Sequence, residues 1–217
     1  GVKLLTYKDA LGIRSAQESA AGWQEPEREA LHSEIYSYCE RKRYYFLNQA
    51  CNEANPEAHV KTTGPELWEA TDGRIDILVC MAGTGGTGTG LSSFLRSRNP
   101  ELKIVLAQPH PDCRITKEHP HVDIIDGVLP AYGVPETELS SFLRPDWSDE
   151  CIDVRMEEAR QTAHKLISTE GLLMGTSSCA ALYAASVVGA RAENEGKNIV
   201  VIMPDSGVKY LTTALYR

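Results

Sequence analysis

The segment Ile75-Asp-Ile-Leu-Val-Cys-Met-Ala82, continued by Gly83-Thr-Gly-Gly-Thr-Gly-Thr-Gly90, decides how the rest of the chain is read. A short apolar run rich in β-branched residues is the pattern of a strand covered on both faces. The run breaks into glycine and threonine, and Leu91-Ser-Ser-Phe-Leu-Arg-Ser-Arg98 resumes at helical spacing. Strand, glycine-rich turn and helix in that order build an anion site. Glycine lets the backbone turn sharply and come close to a ligand. The first N–H groups of a helix have no partner within it, and the helix dipole adds partial positive charge there. The hydroxyls of Thr84, Thr87 and Thr89 supply further donors. Gly83, Thr84, Gly85, Gly86 and Thr87 are therefore expected to hold a phosphate. The plainer alternative is a tight turn without a ligand, but an unbroken run of glycine and threonine from Gly83 to Gly90 exceeds what a turn needs.

The spacing Gly83-x-Gly85-x-x-Gly88 also fits the dinucleotide fingerprint, which is weak as a lone match. The next apolar run, Lys103-Ile-Val-Leu-Ala-Gln108, ends where a ribose-binding carboxylate is expected, some ~20 residues on. The residue there is Gln108. A nicotinamide oxidoreductase is thereby the weaker reading.

The chain has 217 residues, 42% hydrophobic and 24% charged, enough for one domain or one and a half with a real core. No run reaches the ~18 apolar residues of a membrane span. The net charge of −8 is spread along the sequence, which argues against nucleic acid as partner. Cys39, Cys51, Cys80, Cys113, Cys151 and Cys179 show no Cys-x-x-Cys spacing and accompany no secretory signal, as expected of reduced thiols in a cytoplasmic protein. The sequence begins at Gly1 rather than Met, which leaves room for an upstream part.

In chain order, Val2–Tyr7 reads as a strand and Ser15–Gly22 as a loop or weak helix start. Pro26–Arg43 reads as an amphipathic helix with Leu31, Ile35, Tyr36 and Cys39 at helical steps. Tyr44–Leu47 is strand-like, and Asn48–Pro56 is a loop by its Asn and Pro content. Thr62 or Thr63 is placed to cap a helix through Pro65–Ala70. Pro109–His121 reads as a surface loop whose His110, His119 and His121 lack metal-ligand spacing, so no metal is expected. Pro130, Pro135 and Pro145 keep Asp123–Trp147 irregular. A helix is expected from Ser148 or Asp149 to Ile167 and another from Thr176, with hydroxyls at its start. Asn198–Met203 reads as a second doubly buried strand, followed by Pro204-Asp-Ser-Gly207 and a final helix.

Strands alternating with helices predict an α/β fold, an open, mostly parallel twisted sheet with helices on both faces. Ligands of such sheets bind beyond the carboxyl ends of the strands. Three turns fall on that edge: Gly83–Thr87, Gly175–Ser178 and Pro204–Ser206. The first suits a phosphate, and the other two offer hydroxyls to a flat polar ligand.

Four motifs then carry a resemblance: Ala82-Gly-Thr-Gly-Gly-Thr-x-Thr-Gly90; Asn55-Pro-Glu-Ala-His59 with Thr62-Thr-Gly-Pro-Glu66; Glu170-Gly-Leu-Leu-x-Gly175-x-Ser177-Ser178; and Pro204-Asp-Ser-Gly207 with Tyr210-Leu-Thr212. In this order they resemble the cysteine synthase and cystathionine β-synthase family of pyridoxal-phosphate enzymes, from about Ala50 onward. The resemblance implies a tryptophan synthase β-like fold, incomplete at the N-terminus. Residues 1–48 would be a remnant of a small domain and its connection, and residues 49–217 the large cofactor-binding domain. It implies β-elimination and replacement on serine or O-acetylserine, with Gly83–Thr87 on the phosphate of pyridoxal 5'-phosphate. Ser177 falls to the pyridine nitrogen and Gln49 to the substrate carboxylate. A serine hydroxyl, unlike a carboxylate, does not force a proton onto that nitrogen, which would favour β-chemistry over transamination. A homodimer follows by analogy alone.

The departures from the family pattern matter equally. The lysine that carries the cofactor lies upstream in that family, and Lys3, Lys8, Lys42 and Lys61 stand in other contexts. The chain thus looks like the carboxyl-terminal two-thirds of such an enzyme, with the upstream part removed or separate. Ala50 stands where an aromatic is usual, and Cys179 replaces a small glycine behind Ser177. The family's Glu-Gly-Ile-Gly loop survives only as Asp126-Gly127-Val-Leu-Pro-Ala-Tyr132. No haem-binding leader or regulatory tail is expected. An inactive homologue kept as a binding partner or scaffold is the alternative reading.

Overall fold

The computed structural model describes residues 25–114, 122–134, 140–143 and 147–217. The strand expected at Val2–Tyr7 and the loop or weak helix start expected at Ser15–Gly22 lie outside them, as do His119, His121, Pro135 and Pro145. The chain divides into two compact units, and the described residues of the smaller are 25–48, 114 and 122. In it, helix α1 (Glu25–Lys42) buries Ile35, whereas Tyr36 is half exposed and lies edge-on to Phe46, with ring centroids 5.3 Å apart. The strand expected at Tyr44–Leu47 is not formed. Tyr44, Tyr45 and Leu47 are exposed, and no described strand pairs with their backbone groups; a strand without a partner has no ladder to hold it.

The larger unit comprises residues 49–113 and the described residues from 123 onward. Its frame is a sheet of four strands, β1 (Ile77–Met81), β2 (Lys103–Pro109), β3 (Glu150–Val154) and β4 (Ile199–Val201), in the order β3-β2-β1-β4. Every pairing is parallel: Ile77 lies opposite Lys103 on one side and Ile199 on the other, and Val105 lies opposite Glu150. The alternation along β1 feeds two cores. Ile77 and Val79, with Val105 and Ala107, pack against Ala159 and Ala163 of α5 (Met156–Glu170) and Ala180, Ala184 and Val188 of α6 (Thr176–Gly189). Leu78 and Cys80, with Ile104 and Leu106, pack against Leu91 and Leu95 of α4 (Gly86–Arg96). Helices thus cover both faces of a parallel sheet, which is why the central strands read as unbroken apolar runs.

Several elements differ from expectation. The segment Asn48–Pro56 is not all loop, because α2 (Ala54–Lys61) begins inside it with Asn52 Oδ1 accepting from the Ala54 amide at 3.0 Å. Pro56 sits in the first helical turn, where its missing N–H costs nothing. Helix α3 (Thr63–Ala70) starts as expected, yet Thr62 donates back to the Ala58 carbonyl at 2.8 Å instead of capping it. The helix expected from Ser148 or Asp149 is preceded by strand β3. Asp149 instead pairs with the start of β2, its carboxylate accepting from the Ile104 amide at 2.7 Å and its own amide donating to the Ile104 carbonyl. Helix α5 begins only at Met156, where the Arg155 amide donates to Glu158 at 2.7 Å. Strand β4 is an edge of the described sheet, and its three residues are half-buried rather than doubly buried. The final helix is one short 3-10 turn, Gly207–Tyr210. All six cysteines are free thiols. No described helix is long and apolar enough to cross a membrane.

Candidate functional site

Because the four strands run parallel, the segments leaving their carboxyl ends share one edge of the sheet. The segment leaving β1 reaches Gly85, whose φ of 87° is left-handed and which serves as the N-cap of α4. A Cβ at Gly85 would meet the Phe142 carbonyl and lie 2.6 Å from the Leu143 amide, so only glycine fits there. The helix starts at Gly86, five residues earlier than the apolar spacing from Leu91 indicates. Gly86, Gly88 and Gly90 face the Asn55 amide, the Trp147 ring and the Pro56–His59 turn, respectively. Part of the glycine content therefore serves close packing of α2 and Trp147 on α4, a purpose the sequence reading assigned wholly to the ligand.

None of the amides from Gly83 to Gly88 has an acceptor among the described residues. Ser140 Oγ donates to the Thr84 carbonyl, and in a trans peptide this turns the Gly85 N–H to the opposite side. Asn55 Nδ2 donates both to Thr84 Oγ1 at 3.0 Å and to the Gln49 carbonyl at 2.7 Å. One amide thereby ties Gln49, whose side chain is exposed, to the glycine turn, and leaves the Thr84 O–H free to donate. Thr87 Oγ1 lies 3.0 Å from His59 Nε2. Burial lowers the pKa of His59, which favours the neutral imidazole. No acidic residue occupies the first turn of α4. A cluster of unpaired N–H groups at a helix N-terminus, with two threonine hydroxyls and no carboxylate in that turn, is chemically fitted to a dianionic oxygen ligand.

Asp126–Tyr132 packs over the same turn. The Leu129 amide donates to the Ala82 carbonyl at 2.8 Å, and a Cβ on Gly83 would lie 2.7 Å from the Gly127 carbonyl. Gln108 holds the far end of this segment. Its Oε1 accepts from the Ala131 and Tyr132 amides at 2.9 Å each, and its Nε2 donates to Asp153 at 2.7 Å. Its side chain is thus fully engaged at the end of β2, where the dinucleotide reading would require a carboxylate.

The first turn of α6 reaches the same edge through the segment leaving β4. The Gly175 amide donates to the Asp205 carbonyl at 3.0 Å, the Gly207 amide to the Leu173 carbonyl at 2.9 Å, and Ser178 Oγ to the Asp205 carbonyl at 3.3 Å. Thr176, Ser177 and Ser178 are all buried. The Ser177 hydroxyl bonds to no described protein group, so it keeps both a donor and an acceptor for a ligand. Beside it, Asp205 Oδ2 accepts from Tyr210 at 2.8 Å and pairs with Lys209 at 3.0 Å. Burial, reinforced by Asp205, pushes the Tyr210 phenol up to about 12. Cys179, on α6, is buried in the core with its thiol donating to the Met174 carbonyl at 3.7 Å, and burial raises the thiol to about 11, which keeps it unreactive.

The fold thus ties the Gln49 carbonyl to the glycine turn through Asn55, and it places Ser177 in the first turn of α6, which packs on the segment leaving β4. Sequence reasoning gave Asn55 and His59 a place in a family motif but no contact, used Gln108 only against a dinucleotide, and did not single out Ser140. For two of them a signal was present, since Asn55 and His59 are four apart and share one face of α2. His110 lies 2.8 Å from Arg155 and 3.2 Å from Asp112, and no described group of three His, Cys, Asp or Glu residues could hold a metal ion.

Residues 14–205 match the family described as "Pyridoxal-phosphate dependent enzyme". Cysteine synthase A of Escherichia coli (strain K12) is 39% identical over 177 residues, covering 81% of this chain and 55% of that protein. The O-acetylserine dependent cystathionine beta-synthase of Bacillus subtilis (strain 168) is 36% identical over 187 residues, covering 86% of this chain and 58% of that protein. Among solved structures, O-acetyl serine sulfhydrylase isoform 3 from Entamoeba histolytica superposes with a TM-score of 0.70 at 31% identity, over 88% of this chain and 55% of that one. The chain spans little more than half the length of these relatives.

Proposed function

The chain belongs to the pyridoxal-phosphate dependent enzyme family, and we propose that it is part of a β-replacement enzyme acting on O-acetylserine or serine in sulfur amino-acid metabolism. One observation supports this most: the amides from Gly83 to Gly88, which have no acceptor among the described residues at the N-terminus of α4. In this reading Gly83, Thr84, Gly85, Gly86 and Thr87 hold the cofactor phosphate. Ser177 offers its unengaged hydroxyl to the ring nitrogen, and Gln49 faces the substrate carboxylate. Bound there, pyridoxal phosphate supplies an electron sink for a carbanion at the substrate α-carbon. The chain's own residues bind and orient: Asn55 and Ser140 hold the glycine turn open, and Asp126–Tyr132 covers it. We further read residues 1–48 as the end of a smaller domain, residues 49–217 as the cofactor domain, and the assembly as a cytoplasmic homodimer. The lysine that carries the cofactor belongs to an upstream part.

The test is amide NMR of the 217-residue chain titrated with pyridoxal phosphate, with pyridoxal as the phosphate-free control. The amides from Gly83 to Gly88 are expected to move with the phosphate ester and not with pyridoxal. Movement confined to other residues refutes the site. Supplying the upstream part and comparing O-acetylserine plus sulfide with serine plus homocysteine then tests turnover. Cofactor binding without turnover of either pair establishes an inactive homologue instead.

A further inference from the structure

The backbone of the glycine turn settles where its amides point, but not where the Thr87 proton goes. Thr87 Oγ1 lies 3.0 Å from His59 Nε2, and His59 Nδ1 lies 2.9 Å from Thr63 Oγ1. Three elements meet in this row: His59 on α2, Thr63 at the start of α3, and Thr87 in the first turn of α4. A neutral imidazole carries one N–H and one lone pair, so the row can run in two directions. In one, Nδ1–H donates to Thr63 and Nε2 takes the Thr87 proton, leaving Thr87 to present lone pairs to any anion beside it. In the other, the Thr63 hydroxyl donates to Nδ1 and Nε2–H donates to Thr87, whose own O–H is released toward the anion. Only the second suits a phosphate, and successive bonds aligned in one direction strengthen one another.

We propose that His59 is a positioning residue that adopts the Nε2–H tautomer when a phosphate group occupies the turn, so that Thr87 donates to it. This rests on the phosphate reading of Gly83–Thr87 given above. His59 touches neither the ligand nor the reacting atoms; it acts through Thr87, and Thr63 completes the row.

The tautomer is read directly by long-range proton–nitrogen NMR of the chain labelled at histidine, with the His59 signals assigned by their loss in His59→Gln. Pyridoxal phosphate and inorganic phosphate serve as probes, and pyridoxal as control. Both phosphates are expected to place the proton on Nε2. In binding assays His59→Gln, which keeps a donor near the Nε2 position, should hold pyridoxal phosphate within about 2-fold of the native chain. His59→Leu, which removes the Nε2–H bond that orients Thr87, should lose about 5-fold, the value of one neutral hydrogen bond. A proton on Nδ1 in the phosphate-bound chain, equal affinity of the Gln and Leu variants, or a tautomer set by pyridoxal alone overturns the inference while leaving the phosphate site intact. If neither phosphate shifts the amides from Gly83 to Gly88, the site and the inference fall together.

Discussion

Replacing Gly85 by alanine tests the packing that holds the anion turn. Gly85 has a φ of 87°, and an alanine Cβ there would lie 2.5 Å from the Phe142 carbonyl carbon and 2.6 Å from the Leu143 amide, closer still to the Phe142 oxygen. Two costs add. The left-handed backbone costs an L-residue about 1–2 kcal/mol, and forcing a methyl group against backbone that cannot rotate away costs about 1–3 kcal/mol more. The expected loss is therefore about 2–5 kcal/mol, a large part of the ~5–15 kcal/mol that holds a domain. For a chain of this size it corresponds to a fall in melting temperature of roughly 4–20 °C. Gly127→Ala is the control. Its φ of 76° is also left-handed, but nothing lies within 4 Å of the added methyl, so only the backbone cost remains. Urea unfolding of both variants, followed by tryptophan fluorescence, separates the two costs. If Gly85→Ala and Gly127→Ala agree within about 0.5 kcal/mol, the turn is not seated on Phe142 and Leu143, and the reasoning fails.

Two further predictions concern the frame around the site. Hydrogen bonding from Arg191, helped by Lys103 2.7 Å away and opposed by burial, lowers the Glu150 carboxyl from 4.5 to about 2. A depressed carboxyl stabilises the fold above its unfolded pKa and loses that contribution as pH falls. Glu150→Gln should therefore cost about 1–2 kcal/mol at neutral pH, allowing for solvent screening of the partners. The gap between the native chain and the variant should close between pH 4.5 and about 2 in acid-unfolding curves; a gap that persists at the acid end contradicts the assignment. Gln108→Ala leaves the Ala131 and Tyr132 amides without their acceptor and should cost about 2–4 kcal/mol in urea unfolding. A cost below about 1 kcal/mol would mean that Gln108 does not hold the Asp126–Tyr132 segment.

Much of the frame is legible because its causes are local. Ile77–Met81 and Lys103–Pro109 are apolar on both faces because helices cover both faces, and that leaves a continuous apolar run in the sequence. The same signal located the strand at Ile199–Val201 but read it as doubly buried, whereas it is half-buried at an edge of the described sheet, since an edge strand can carry the composition of a central one. Glu150–Val154 was missed because its residues are only partly buried until Val154 and run directly into the charged start of a helix. The glycine turn was found, but its glycines answer two demands at once, a left-handed residue at Gly85 and close packing of α2 and Trp147 along α4.

From the order of residues alone came the parallel α/β class and the strand, glycine-rich turn and helix around Gly83–Gly90, whereas Ser177 and Gln49 were reached only through the family resemblance. The first two depend on backbone preferences and on spacing, which neighbouring residues settle among themselves. Only the tertiary structure decided what surrounds the turn. Asn55 reaches Thr84 across 29 positions, His59 reaches Thr87 across 28, and Ser140 reaches the Thr84 carbonyl across 56. Hydrogen bonds of that range form once packing has brought helices and loops to one edge of the sheet, and no local pattern encodes that meeting.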